Sequence, residues 1–276
     1  MTVNNHQATQ GGPGAVTAAI VNPVKRKNSP DPGPVALMVS NAADLQRLIG
    51  AMAPDLGPSR NVLMSRLFCP VDTDKGGALI GPVIGAPYAV ILFENLIAWG
   101  VRRLIYVGWC GAIVPDVNIG DIILASGSVV DEGTSLHYHQ EINGVVHASH
   151  GLTRKVSKAL DTGGLNFHQG LVWTTDAIFR ETDEKLTKFQ KIGALGVEME
   201  LSALFSVARF RGVEAAGILV VSDELASFKW RSGFGDKRFK QTRRSLCEVL
   251  KGVGPSIQED SDPDTPEPSE ADRSLS

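Results

Sequence analysis

The chain has 276 residues, 43% of them hydrophobic, and a formal net charge of -3. Its size suits one large α/β domain or two small ones, and the near-neutral charge gives no electrostatic case for nucleic acid as a partner. Cys69, Cys110 and Cys247 are widely spaced and odd in number, which argues against a disulfide framework and fits a reducing cytoplasm; no run approaches the roughly 20 apolar residues of a membrane span.

Residues 1–34, rich in Gly, Pro, Asn, Gln and Thr, are expected to form a disordered tail. In this tail AVTAAIV precedes the basic cluster Lys25-Arg26-Lys27, the wrong order for a secretory signal. The cluster reads as solvated, with nuclear localisation or partner docking as the alternative. The expected folded domain spans 35–252. It opens with a strand at 35–39, VALMV, and an amphipathic helix from about Asn41 to Ala53. ALIGPVI (78–84) leads into PYAVILFENLIAWG, where Leu92, Leu96 and Trp99 keep helical spacing and Gly100 ends the helix. RRLIYVG is a strand running into the glycine loop GWCG. The turn PDVNIGD then leads to the strand DIILASGSVV. A helix over about 151–163 precedes the strand GLVWTT, and the charged helix of ETDEKLTKFQKIG closes at Gly193. LGVEME runs into the helix LSALFSVARFRG, and EAAGILVVSD is the last clear strand. The acidic, proline-rich residues 253–276 are expected to form a second disordered tail.

Strands alternating with helices predict an α/β fold, a largely parallel or mixed sheet covered on both faces. Ligands in such sheets collect beyond the carboxyl ends of the strands, here GWCG, WTTD, VEME and VSDE. Glu198, Glu200 and Asp223 therefore form the candidate constellation, suited to binding polyols or to acid–base work. Helix capping by Glu200 and Asp223 is the competing reading. His137 and His139 have metal-like spacing, yet no further ligand completes a set, and no metal is expected. Cys110 reads as a small buried thiol. Ser222 lacks a G-x-S-x-G context, and dinucleotide and P-loop signatures are absent. One feature is anomalous: Tyr106 and Trp109 are bulky aromatics at a glycine junction of the kind that usually brings backbone amides close to an anion.

VGWCGAIVPDVNIGDIILASG, WTTDAIFRET and LGVEMELSALFSVARFRGVEAAGILVVSDE resemble the purine nucleoside and uridine phosphorylase family, which also contains nucleosidases. The resemblance spans about Val35 to Leu250. It implies one α/β domain whose central mixed sheet is partly closed as a barrel, flanked by helices, and a homo-oligomer, either a dimer or a trimer of dimers. It also implies cleavage of the N-glycosidic bond of a nucleoside-like substrate without a cofactor, with inorganic phosphate as co-substrate only in the phosphorylase branch. Glu200 would accept the ribose hydroxyls, with Met199 against the sugar's apolar face and Glu198 grouped beside them. Asp223 would protonate the purine at N7. Phe179 and Ser222 are placed at the base, core packing being the alternative for Phe179. Asp223 follows the purine-type pattern, whereas GTSLHY is closer to the uridine type; purine is favoured.

The phosphate-binding positions depart from the family. Ser40 and Asp44 stand where Gly and Arg would fall, Tyr106 replaces a second Arg, and Trp109 replaces a Ser or Thr. Asp44 would repel a dianion. Three readings follow. One is a nucleosidase in which water replaces phosphate and Asp44 activates it. Another is a phosphorylase that borrows Arg47, Arg66 or a neighbouring subunit's Arg. The last is a scaffold turned to another small molecule. The arginine that supports the catalytic Asp in the family is unassigned here among Arg231, Lys237 and Arg238, in a segment whose SGFGD glycines suggest a lid.

Overall fold

The computed structural model describes residues 19–74, 76–138 and 144–259. In chain order it contains β1 (Val35–Val39), α1 (Ala42–Met52), β2 (Arg60–Val62), β3 (Ser65–Phe68), β4 (Ala78–Gly81), α2 (Ala86–Trp99), β5 (Arg103–Ala112) and β6 (Ile122–Asp131). There follow β7 (Val145–His147), α3 (His150–Thr162), β8 (His168–Thr175), α4 (Asp183–Ile192), β9 (Ala194–Glu198), α5 (Leu201–Arg211), β10 (Glu214–Glu224), β11 (Arg231–Ser232), α6 (Lys237–Leu250) and α7 (Val253–Glu259).

The described strands form one mixed sheet in the order β11-β10-β6-β8-β9-β5-β1-β4-β3-β2, with β7 beside β6. Because β10 pairs with β5 as well as with β6, the strands β10-β6-β8-β9-β5 close on themselves as a five-stranded barrel. β1 is buried along its whole length and pairs in parallel with both β4 and β5. Such a strand is a continuous apolar run, because helices cover both of its faces. Leu92, Phe93 and Leu96 of α2 and the buried face of α5 pack on one side of the sheet. Leu45 and Leu48 of α1, Leu152 of α3 and Leu246 of α6 pack on the other. This is the α/β architecture read from the sequence, with the barrel that the resemblance implied.

The structure corrects the sequence reading in four places. GWCG is not a loop: β5 runs unbroken through Gly108 and Gly111 to Ala112. The glycines serve close approach, since a Cβ on Gly108 would lie 2.6 Å from the Tyr106 ring and one on Gly111 would lie 3.0 Å from the Asp223 carboxylate. Asp223 caps no helix, because β10 continues to Glu224 and is followed by β11. The folded unit does not stop at 252: α7 buries Val253 and Ile257 in the core that contains Val35 and Leu37. Nor does it begin at 35. Residues 19–34 form neither helix nor strand, but Pro30, Pro32 and Gly33 are buried. Lys25 donates to the Trp99 carbonyl at 3.3 Å, and Arg60 to that of Asn28 at 3.1 Å. The remaining parts of both expected tails, 1–18 and 260–276, lie outside the described residues.

Candidate functional site

Strand order brings the two acidic strand ends together. β5 lies between β9 and β10, so Gly111 pairs with Val197 on one side and with Asp223 on the other. The VEME corner and the VSDE end, far apart in sequence, thus flank the same glycine.

At the VEME corner the two glutamates divide the work. The Glu198 carboxylate accepts hydrogen bonds from the amides of Glu200 at 2.7 Å and Leu201 at 2.8 Å, capping α5, and its other oxygen bonds to the Thr174 hydroxyl. Both oxygens of Glu198, which the sequence reading grouped with the ribose contacts, are therefore engaged in holding the corner in place. Glu200 caps nothing with its side chain. It accepts from the Gly85 amide at 2.6 Å and from the Tyr106 hydroxyl at 2.6 Å. A carboxylate offers about four acceptor sites, so lone pairs remain for a sugar hydroxyl. Met199, half-buried, sits at the bend between the two glutamates.

Burial raises both glutamates. Glu198 is pushed up to about 8 by burial and then by the Glu200 charge, and Glu200 is raised by burial against the opposing pull of its Tyr106 and Gly85 hydrogen bonds. The folded protein thus keeps the Glu198 proton to about pH 8, whereas the unfolded chain releases it near the ordinary value of 4.5. The resulting stability is fully present below the lower value and is lost as pH rises through the upper one. We expect the melting temperature to fall from pH 5 to pH 8. Glu198→Gln, which keeps the acceptor for the amides and cannot ionise, should gain on the wild type over that window by at most about 1.4 kcal/mol per pH unit. Parallel thermal melts would test this, and a pH-independent difference would remove Glu198 from the account.

At the other strand end, Asp223 receives two neutral donors. Ser222 donates to Oδ1 at 2.6 Å and the Trp230 indole to Oδ2 at 2.9 Å. Ser222 also bonds to the Cys110 carbonyl at 3.2 Å, which ties its hydroxyl between strand backbone and Asp223, whereas the sequence reading placed it at the base. None of the three cationic candidates supports Asp223. Arg231 pairs with Glu224, Arg238 pairs with Asp121, and no hydrogen bond joins Lys237 to Asp223. Trp230 does this work, and a search of the sequence for a cation overlooks it. Glu181 was likewise overlooked. Half-buried after the WTTD segment, it is pushed up to about 7 by burial and then by the charge of Asp223.

The aromatics at the glycine junction, Tyr106 and Trp109, each donate to a carboxylate. Tyr106 is buried, and burial together with Glu200 and Glu198 holds its phenol well above 10.0, so it stays a donor to Glu200. Ser40, at the end of β1, hydrogen-bonds to the same phenol. Trp109 donates its indole N–H to Asp44 at 2.7 Å. Asp44 is buried and its charge is compensated: the Arg243 guanidinium of α6 donates to Oδ1 at 2.8 Å and Oδ2 at 3.0 Å and stacks on the Trp109 ring at 4.3 Å. This corrects the expectation of a free, repelling carboxylate, and equally its use as a water-activating base. Arg47 stands 4.0 Å from Asp44 and is partly exposed, while Arg66 stacks on Phe68 and bonds Ser59.

The other singled-out residues fare differently. Phe179 is 95% exposed, which removes the core-packing alternative. Cys110 is buried, and burial, with the nearby Asp223 and Glu198 charges, keeps its thiol well above 9.0. His137 closes a short 3₁₀ turn, and His139 lies outside the described residues. Among the described residues no group of three or more His, Cys, Asp or Glu is placed to hold a metal.

Comparison with known proteins gives a consistent picture. The family model for the phosphorylase superfamily matches residues 63–253. The guanosine phosphorylase of Halorubrum lacusprofundi is 30% identical over 165 residues, which cover 60% of this chain and 68% of that protein. The DeoD-type 1 purine nucleoside phosphorylase of Shewanella oneidensis is 32% identical over 178 residues, 64% of this chain and 73% of that protein. A solved uridine phosphorylase from Vibrio fischeri ES114 superposes with a TM-score of 0.70 at 26% identity, covering 85% of this chain and 100% of its own.

Proposed function

Since the chain belongs to the phosphorylase superfamily, we propose that it cleaves the N-glycosidic bond of a nucleoside, purine rather than pyrimidine, with water in place of phosphate. The observation that carries the phosphate-independent branch is the closed anion site. Tyr106 is committed to Glu200, and the Arg243 cation is committed to Asp44 and roofed by Trp109. A dianion would need two cations or a row of free donors, and here the Tyr106 hydroxyl, the Trp109 indole and the Arg243 Nε–H each serve a carboxylate already.

In this reading Glu200 accepts the ribose hydroxyls with its remaining lone pairs and Met199 covers the apolar face of the sugar. Glu198 fixes the bend that carries them. Asp223, oriented by Ser222 and Trp230, gives its proton to N7 as the C1′–N bond breaks and its electron pair moves onto the base. Water adds to C1′ and releases a proton that restores Asp223. Base and free ribose result, with no cofactor and no metal.

A phosphorylase is the second reading, favoured by the names of the relatives and by Arg243, which would become a phosphate ligand if its pair with Asp44 opened. A homo-oligomer is also proposed, since the exposed apolar side chains of Met64, Ile84 and Ile91 offer a surface to cover; sedimentation velocity reads this directly. Among the described residues no helix is long and apolar enough to cross a membrane, and a cytoplasmic location remains part of the proposal.

Base release from purine and pyrimidine nucleosides, followed chromatographically with and without inorganic phosphate, decides between the branches. The expected outcome is release of purine, with free ribose, at a rate that phosphate changes by less than about twofold. Strict dependence on phosphate, with ribose 1-phosphate as product, would transfer the protein to the second reading.

A further inference from the structure

Beneath the VEME corner lies a cluster of buried hydroxyls from three other elements: Ser128 of β6, Thr174 of β8 and Ser202 of α5. Strand register puts Thr174 opposite Glu198, and its hydroxyl is the hub of the cluster. Thr174 Oγ1 accepts from the Ser202 amide at 2.9 Å, lies 2.6 Å from Ser128 Oγ and bonds to Glu198 Oε1. The Ser202 hydroxyl turns the other way and donates to Glu132 at 2.9 Å.

A hydroxyl has one proton and two lone pairs, so the partners of Thr174 fix which of them donates. The Ser202 amide takes one lone pair. Ser128 faces the Val172 carbonyl at 3.4 Å, a group that only accepts, so Ser128 donates there and its 2.6 Å contact receives the Thr174 proton. Thr174 is left with a lone pair for Glu198. Glu198 Oε1 therefore supplies the proton of this bond, as a carboxylic acid, while Oε2 accepts from the Glu200 and Leu201 amides. The surroundings agree. Burial and then the Glu200 charge push Glu198 up to about 8. Tyr106 and Cys110 of β5 add no charge at neutral pH, because burial first and then nearby carboxylates, Glu198 among them, keep their protons on. Glu132 stands one hydroxyl further away, beyond Ser202. Glu200 meets only donors, the Gly85 amide and the Tyr106 hydroxyl, and is the ionised member of the pair.

We infer that Thr174 is a positioning residue for N-glycoside cleavage: it holds a proton on Glu198 Oε1, so that of the two glutamates at the corner only Glu200 turns a negative charge to the sugar. The inference rests on the proposed reaction, with Glu200 at the ribose, and Thr174 acts through Glu198 without touching substrate. A single charge suits the task. A second carboxylate charge at the corner would favour protonation of Glu200, and a protonated Glu200 has fewer lone pairs for the ribose hydroxyls. It would also press the two chain-linked carboxylates apart and disturb the bend that carries Met199 and Glu200.

The test compares wild type, Thr174→Val and Thr174→Ser by kcat and KM for inosine across neutral and alkaline pH. In the wild type KM is expected to rise as pH passes about 8, with kcat changed less. Thr174→Val keeps the shape and removes the acceptor, so the rise should move down by about one pH unit, the worth of a buried hydrogen bond; Thr174→Ser should restore it. Ser128→Ala frees the Thr174 proton to serve an ionised Glu198, shifts the rise the same way, and stands in if Thr174→Val does not fold. Carbon-13 NMR of glutamate-labelled protein, with Glu198→Gln identifying the signal, reads the same proton without substrate. An upward move in Thr174→Val would make Thr174 the donor to an ionised Glu198 and overturn the inference, as would no move in either readout. A KM profile that stays put while the NMR titration moves would overturn the role in sugar binding. A downward NMR move in a protein that releases no base from inosine would uphold the proton assignment and overturn the proposed reaction.

Discussion

Asp223→Asn lowers the rate of base release from a neutral purine nucleoside by about 10²–10⁴-fold, the usual contribution of a positioned general acid. The amide can keep the local geometry. Its oxygen still accepts from Trp230, and its NH₂ group can donate to Ser222, whose hydroxyl has the Cys110 carbonyl as an alternative acceptor. The loss should therefore fall on kcat, with KM changed little, because the proton matters only as the bond breaks. Steady-state kinetics on inosine would show it. A variant within about threefold of the wild type would mean that another group protonates the base.

Arg243→Met destabilises the fold by about 3–5 kcal/mol, the cost of leaving one partner of a buried ion pair alone. Asp44 is buried, and it would keep only the Trp109 indole and the distant Arg47. For a domain of this size the melting temperature should drop by on the order of 10 °C. The double variant Asp44→Asn, Arg243→Met should recover more than half of that loss, because it removes the orphaned charge and preserves an acceptor for Trp109. Differential scanning calorimetry on the three proteins is sufficient. A drop of less than about 2 °C in the single variant would show that the pair sits in a wetter, weaker environment than its burial implies.

The two results bear on different links of the same site. The first concerns a strand-end carboxylate that was visible in the sequence, since an acidic residue after an apolar run is a local pattern. The second concerns a pair whose members are 199 residues apart. Read alone, Asp44 looks like a repelling anion in a phosphate site; only the packing of α6 against α1 shows it neutralised. Trp230 is hidden for a related reason: its hydrogen bond to Asp223 comes from a neutral indole, which no charge marks in the sequence. Glu181 has no sequence signature, because its raised pKa arises from burial and from the charge of Asp223. The GWCG stretch was misread because glycines suggest loops. In β5 they are small because the Tyr106 ring and the Asp223 carboxylate lie over them.

By itself the sequence determined the alternation of strands and helices, the placing of Glu200 and Asp223 at strand ends and the presence of two bulky aromatics, Tyr106 and Trp109, beside the glycines Gly108 and Gly111. These are properties of short windows, in which hydrophobic period, turn residues and motif spacing act over a few neighbours. The tertiary structure alone decided which donor each carboxylate meets, that residues 19–34 and α7 pack onto the domain, and that the barrel closes through β10 onto β5. Those outcomes depend on strand register and helix packing between distant segments, and a side chain's charge is known only when its partner and its distance from water are known.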